Sequence, residues 1–395
     1  MKKKISILGS TGSIGLNTLK IIEKNKKLFE INILAANKNY KLICKQIKKF
    51  NPKIFIINDV EVCDKVKKRF KNKKIILINN ITSHLKLIKK SDITIAAIPG
   101  IRGLEPTIEM TKKSKKILIA NKESIICGWR LIKNVSIKYR TKIVPIDSEH
   151  FSIMKILENH SLTEIKKIYL TASGGPFLKH KISKLNTVKP HQAIKHPKWK
   201  MGKKISIDSA TLMNKMLETI EAEKLFSITQ KNIEIIIHPE SLVHAIIEFK
   251  NGLIKFIYHE TTMLIPLGNA ILEKNFQAKD YFEIKNKRKK SSVLQDLKFS
   301  KVDKKRFPLV KLKKRLNEYN SSVIIINAVN EILVDLFLGK KIAFTSFYNY
   351  FLRVLNDRNY RKYAIKIPKN ISQIFEIDQW AKDTIYRKIR TNKNA

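Results

Sequence analysis

Long apolar runs, cysteine and acid are what this sequence has least of. No apolar run approaches the roughly 20 residues that a bilayer-spanning helix needs, which argues against a membrane protein of that kind. The three cysteines, Cys44, Cys63 and Cys127, are isolated from one another. An odd, sparse count without paired spacing excludes a disulfide scaffold and a zinc site, and predicts a reducing, cytoplasmic setting. The opening MKKKISILGSTG has the basic start of a signal peptide, but Ile5 to Leu8 is cut by Gly9 and is too short for an h-region. No transit segment is expected either. Acidic residues number 33 against 80 Lys and Arg, a formal charge of +47. That scarcity makes any cluster of carboxylates informative. The lysine excess suggests a nucleic-acid or membrane-surface partner, or the codon bias that makes Lys, Ile and Asn abundant together. The lysines are scattered as KK and KKK with no aromatic interleaving. No specific nucleic acid and no membrane is therefore expected as a partner. The field still draws in an anionic substrate.

At 395 residues, 43% hydrophobic and 8% aromatic, the chain has the make-up of a folded protein of two or three domains. Short apolar strands at Ile5–Leu8, Ile31–Ala36, Ile54–Ile57, Ile75–Ile78, Ile93–Ile98, Ile117–Ala120 and Ile143–Ile146 alternate with helical stretches. That alternation predicts an α/β unit with a mostly parallel, helix-covered sheet. The first strand runs into Gly9, Gly12 and Gly15 of GSTGSIG and then a helix over Leu16 to Glu23. Strand, glycine turn and helix start together let a dinucleotide pyrophosphate meet backbone N–H groups. The second strand ends in Asn37-Lys38-Asn39, where an NAD enzyme would place an acid. Lys38 and the two amides suit the 2′-phosphate of NADP(H), unless Lys38 is one more lysine of a lysine-rich chain. Asn121-Lys122-Glu123, at another strand end, reads equally as a helix cap or as a cofactor or substrate contact.

Four further stretches carry chemistry. In Asp147-Ser148-Glu149-His150, two carboxylates at i and i+2 can converge on a hard cation such as Mg²⁺ or Mn²⁺; a surface turn is the plain alternative. Ser173-Gly174-Gly175 follows the strand Ile168–Thr171 and has the donors of a phosphate cradle. A loop opening at His196-Pro197 carries Trp199, Met201 and Gly202, as a mobile lid that excludes water or as a hydrophobic plug. The richest stretch is Trp199 to Glu223. Read as a helix from about Ser209, it gathers Asn214, Glu218 and Glu221 on one face. Ser209 and Thr211 then sit at the helix start, where free N–H groups favour phosphate. An amphipathic helix with a solvated polar face would look the same. Beyond it, a strand at Ile233–Ile237 and a hairpin over Glu248–Ile257 around Asn251-Gly252 predict a mixed second sheet. KNKRKKSS reads as a linker, and the sequence from Phe307 onward as helical.

The order GSTGSIG, ANKES, DSEH, SGGPF, HPKWKMGKKISIDSATLMNK, HPESLVHA and NAVNE resembles, over essentially the whole chain, the 1-deoxy-D-xylulose-5-phosphate reductoisomerase family. The resemblance implies an N-terminal Rossmann-like NADPH domain over 1–146 and an α+β catalytic domain with a mixed sheet over 147–275. It further implies a linker over 276–304, a small helical C-terminal domain over 305–395, and a homodimer. The implied reaction is the NADPH- and divalent-metal-dependent rearrangement and reduction of 1-deoxy-D-xylulose 5-phosphate to 2-C-methyl-D-erythritol 4-phosphate, a step toward isoprenoid precursors. By matching position, Asp147, Glu149 and Glu218 would hold Mg²⁺ or Mn²⁺. Ser148, Ser173, His196, Ser209, Asn214 and Lys215 would contact the phosphorylated substrate beside Glu149 and Glu218. Lys122, Glu149, Glu218, Trp199 and Met201 would serve catalysis, with Glu221 in support. Thr11, Gly12, Ser13, Ile14, Asn37, Lys38, Asn39, Asn121, Lys122, Glu123 and Gly202 would bind the cofactor. The chain departs from the family pattern at Asn37, at Pro99 to Gly103 and at Glu260 to Leu264. The competing enzyme reading, a generic NADP-dependent aldehyde or semialdehyde dehydrogenase, calls for a nucleophile such as Cys127 or a differently placed catalytic pair.

Overall fold

A computed structural model describes residues 1–199, 201–282 and 297–391. The chain divides into two compact units. One comprises Met1–Ser124, Trp129–Phe151 and Thr262–Lys287, the other Ile125–Gly128, Ser152–Thr261 and Arg288–Ala395. The KNKRKKSS run, 285–292, lies outside the described residues.

The first unit is built on seven strands: β1 (Lys3–Leu8), β2 (Phe29–Ala36), β3 (Ile54–Ile57), β4 (Ile76–Ile78), β5 (Ser91–Ala96), β6 (Ser114–Ile119) and β7 (Lys142–Pro145). They lie in the order β4-β3-β2-β1-β5-β6-β7, and every pairing is parallel. Their apolar runs barely alternate, because a parallel sheet is covered on both faces. The polar groups that do enter the sheet pair with one another: Ser6 meets Ser91 at 2.7 Å, and the Asn32 amide donates to the same hydroxyl at 3.0 Å. The strand order turns back between β1 and β5, so the loops after these two strands flank the switch point where such sheets bind ligands. Gly9, at φ +88°, lets them meet: a Cβ there would lie 2.5 Å from the Ala97 carbonyl oxygen.

The second unit holds a mixed sheet of β8 (Ile165–Ala172), β9 (Ile233–Ile237), β10 (Val243–Phe249), β11 (Ile254–Tyr258) and β12 (Ser300–Lys301), in the order β11-β10-β8-β9-β12. Among the described residues only β8 and β9 of this sheet run parallel. One face packs Ile168, Leu170, Ile233 and Ile247 against Ile153 and Ala222 of neighbouring helices. The region beyond Phe307 is helical as expected, and its aromatics interlock edge-on, as Phe337 does with Phe344 and Phe347.

Six helices position the residues of interest: α1 (Ser13–Lys24), α2 (Lys122–Tyr139), α3 (Ser148–Ile156), α4 (Lys203–Ala210), α5 (Met213–Phe226) and α6 (Ser322–Leu338). The split between α4 and α5 corrects the single helix read from about Ser209. Leu212 stands in the left-handed region, at φ 60° and ψ 11°. That conformation costs a leucine about 1–2 kcal/mol. Burial of its side chain with Ala172, Ile237 and Phe307 opposes the cost. Ser209 therefore ends one helix instead of starting another. The solvated polar face is also excluded, since Glu218 is 0% and Glu221 1% exposed.

Candidate active site

The nucleotide end of the first unit is made of main chain. Gly12 is the N-cap of α1 in extended backbone, with no side-chain cap bond. The N–H groups of the first turn, around Ser13 and Ile14, thus face outward, and they carry the positive end of the helix dipole. Gly15 is required by close approach: a Cβ there would sit 2.4 Å from the Gly9 oxygen. Thr11, Gly12, Ser13 and Ile14 are all at least partly open to solvent. Behind the loop, buried Gln46 accepts from the Ser10 hydroxyl at 2.7 Å and donates to the Ser10 carbonyl at 2.9 Å. Nothing in the sequence pattern singles out Gln46. Asn37, Lys38 and Asn39 are exposed at the end of β2. Asn39 also caps the following helix, accepting from Leu42 N–H at 3.2 Å.

Asn121 is a cap, and more. It accepts from Ser124 N–H at 2.7 Å to start α2, and its amide donates to the carbonyls of Ile98 and Gly100 in the loop after β5. One side chain therefore fixes two loops of the sheet end. Lys122 and Glu123 follow it and are buried. The Lys122 ammonium pairs with Asp147 at 2.6 Å. Asp147 lies just past β7, and its carbonyl accepts from Phe151 N–H at 2.8 Å to start α3. Glu149 stands in the first turn of α3, where the helix dipole favours an anion, and it accepts from the Ser148 hydroxyl at 2.8 Å.

In the second unit, Gly174 and Gly175 both adopt positive φ, at 79° and 64°. This sharp turn brings Ser173 under His196. His196 Nδ1 accepts from the N–H groups of Lys198 and Trp199, at 3.2 and 2.9 Å, so its ring proton sits on Nε2. Nε2 then donates to Ser173 Oγ at 2.9 Å, and Gly175 N–H donates to the same oxygen at 3.1 Å. With its lone pairs engaged, the Ser173 hydroxyl proton is left to donate to an anion. Burial, reinforced by the Lys215 charge, lowers the His196 pKa to about 4, so the ring is neutral near pH 7. The turn is braced from behind. The Arg306 guanidinium donates to the carbonyls of Phe177, at 2.9 Å, and of His180.

Helix α5 is buried along most of its length, which makes its charges conspicuous. Glu218 accepts from Lys215 at 2.7 Å and from the Asn214 amide, confirming the shared face of Asn214 and Glu218. Asn214 and Lys215 also lie in the first turn of α5, the helix start that was expected at Ser209. Ser209 is half-buried at the end of α4. Gly202 is the N-cap of α4 at φ −65°, a conformation open to any residue. Trp199, partly buried, meets His244 edge-on at a centroid distance of 5.9 Å, and His244 stacks on His259 at 3.9 Å. Met201 is partly buried. Cys127 is buried and does not offer the nucleophile of the dehydrogenase alternative.

Each unit thus holds a carboxylate paired with a lysine, the half-buried Asp147 with Lys122 and the fully buried Glu218 with Lys215. Buried carboxylates need such a counter-charge. Their donors are hard oxygens only, the set that suits Mg²⁺ or Mn²⁺.

Three family models match consecutive parts of the chain. They describe 1-deoxy-D-xylulose 5-phosphate reductoisomerase over residues 5–128, its C-terminal domain over 143–226, and a further DXP reductoisomerase C-terminal domain over 260–384. The 1-deoxy-D-xylulose 5-phosphate reductoisomerase of Pelagibacter ubique is 44% identical over 386 residues, covering 96% of this chain and 97% of the relative. That of Thermodesulfovibrio yellowstonii is 37% identical, covering 98% and 99%. Among solved structures, the Zymomonas mobilis enzyme in complex with NADPH superposes with a TM-score of 0.87 at 30% identity, covering 98% of this chain and 99% of that one. A DOX-P reductoisomerase in complex with NADPH, fosmidomycin and magnesium superposes with a TM-score of 0.91 at 29% identity, covering 99% of each chain.

Proposed function

The chain belongs to the 1-deoxy-D-xylulose 5-phosphate reductoisomerase family, and from that premise we propose how its residues divide the work. The protein is an NADPH- and divalent-metal-dependent enzyme that converts 1-deoxy-D-xylulose 5-phosphate to 2-C-methyl-D-erythritol 4-phosphate. When bound, a divalent cation would supply Lewis-acid polarisation of a substrate oxygen and NADPH would supply a hydride.

Asp147, Glu149 and Glu218 hold the cation. The observation that supports this assignment is the supply of hard oxygen donors, with Asp147 and Glu149 together at the start of α3 and Glu218 completely buried on α5. Lys122 and Ser148 then contact the substrate oxygens. Ser173, Ser209, Asn214 and Lys215 grip the phosphate, with His196 aiming the Ser173 hydroxyl at it. Trp199 and Met201 close over the substrate and exclude water. Glu221 supports Glu218 from one turn further along α5. In the first unit, Thr11 to Ile14 receive the pyrophosphate and Asn37, Lys38 and Asn39 the 2′-phosphate. Asn121, Lys122, Glu123 and Gly202 complete the cofactor contacts. The domains run 1–146, 147–275 and 305–395, with 276–304 as linker.

The active form is a homodimer. In support, β11 is an edge strand among the described residues and carries exposed Ile254 and Phe256, with exposed Leu253 just before it, a surface that a second copy would cover. No helix among the described residues is long and apolar enough to cross a membrane. Three buried cysteines without a disulfide fit the reducing cytoplasm. The function is tested by following NADPH oxidation with 1-deoxy-D-xylulose 5-phosphate and Mg²⁺ or Mn²⁺. Turnover that a chelator abolishes is the expected result. No turnover by folded, metal-loaded protein overturns the reading.

A further inference from the structure

We propose that Asn330 is a positioning residue for substrate phosphate, acting through Asp208. The inference rests on the reading of Ser173, Ser209 and their neighbours as the phosphate grip. Asn330 lies on α6, in the NAVNE run to which no role has been given, and it is completely buried. Its Nδ2 donates to Asp208 Oδ1 at 2.7 Å. The orientation is unambiguous, because a carboxylate only accepts. Asp208 is 2% exposed and immediately precedes Ser209 at the end of α4. Its other oxygen accepts from Lys204 at 2.9 Å. Lys204 is on α4 itself, four residues back, so that ion pair lies within the helix. The bond to Asn330 ties the end of α4 to α6.

Two consequences follow from where that bond acts. The Ser173-Gly174-Gly175 turn rests on the same end of α4: a Cβ on Gly175 would lie 2.9 Å from Ala210 Cα and 3.1 Å from the Ser209 oxygen. Moving the last turn of α4 therefore displaces Ser209 and the turn together. Second, Asn330 Oδ1 is buried with no hydrogen-bond partner. Leaving an amide oxygen unsatisfied is costly, and an apolar residue of similar size would avoid it. The position keeps an amide for its one donor, aimed at Asp208.

The test uses the full-length enzyme with saturating NADPH and Mg²⁺. The variants are Asn330→Asp, which sets a carboxylate against Asp208, and Asn330→Ser, which shortens the donor with less risk to folding. Displacing the grip by about 1 Å should raise KM for the phosphorylated substrate about tenfold to hundredfold. The inhibition constant of inorganic phosphate should rise in parallel, while kcat and the NADPH dissociation constant hold within about threefold. A merely structural role would lower melting temperature or kcat without moving the phosphate constant, and that result overturns the inference. Ser209→Ala is the control. If it leaves phosphate inhibition unchanged, the phosphate-grip reading itself fails. If it weakens inhibition and both Asn330 variants do not, only the role of Asn330 fails.

Discussion

The two units each present hydrogen-bond donors at a glycine turn, but one uses main chain and the other side chains. In the first, a parallel strand, Gly9 to Gly15 and the uncapped start of α1 make the donor set from backbone N–H groups. In the second, the Ser173 turn, the end of α4 and the start of α5 make it from a hydroxyl, an amide and an ammonium. A backbone site needs only the right strand and glycines. A side-chain site needs every rotamer held by something behind it, here His196, Arg306 and Asp208 with Asn330. The second unit should accordingly be the more sensitive to changes that touch no ligand.

The widest separation between the units should come from Glu218→Gln. Loss of one ligand charge should lower turnover about 100- to 1,000-fold, while NADPH binding, read by fluorescence, stays nearly intact. Equal loss of both would make Glu218 structural and erase the distinction. Paired glycine substitutions come next. Gly175→Ala, strained at φ 64° and pressed on Ala210, should raise substrate KM about tenfold or more. Gly15→Ala should weaken NADPH instead, because its Cβ would meet the Gly9 oxygen at 2.4 Å. A crossed pattern in the two binding constants would refute the assignment of one anion to each turn. Lys38→Glu tests the first unit alone. Setting an acid against the 2′-phosphate should cut the preference for NADPH over NADH about tenfold, and an unchanged ratio would discard Lys38.

The smallest effect concerns pH. Burial lowers the His196 pKa from 6.5 to about 4. The unfolded chain then binds more protons than the native one between those values, so stability falls as pH drops through that window and is complete above about 6.5. His244 is lowered too, chiefly by burial, and adds to the same trend. His196→Asn should flatten the loss of melting temperature between pH 7 and pH 5 in part. An unchanged slope would show that His196 is already charged in the native protein.

Much of this was legible in residue order. The strands of the first sheet, the glycine turn, the Ser-Gly-Gly turn and the hairpin at Asn251-Gly252 are local patterns, and the structure places all of them. The helix break at Leu212 was not legible. Nothing around a leucine announces a left-handed residue; its conformation is held by packing against Ala172, Ile237 and Phe307, which are distant in the chain. Gln46, Arg306 and Asn330 were missed for the same reason, since each acts on a partner 36, 129 or 122 residues away. Asn330 at least sat in a run already noticed.

Sequence alone determined the periodic and the covalent: parallel-sheet strands, the glycines that admit a backbone turn, and which carboxylates exist in a chain so poor in them. Tertiary structure decided what those groups face. Whether Glu218 is a solvated surface acid or a buried one paired with Lys215 depends on what covers α5, and no spacing along the chain encodes that. Burial is set by contacts between distant segments, and burial is what makes the charge of Glu218 costly enough to require the Lys215 counter-charge.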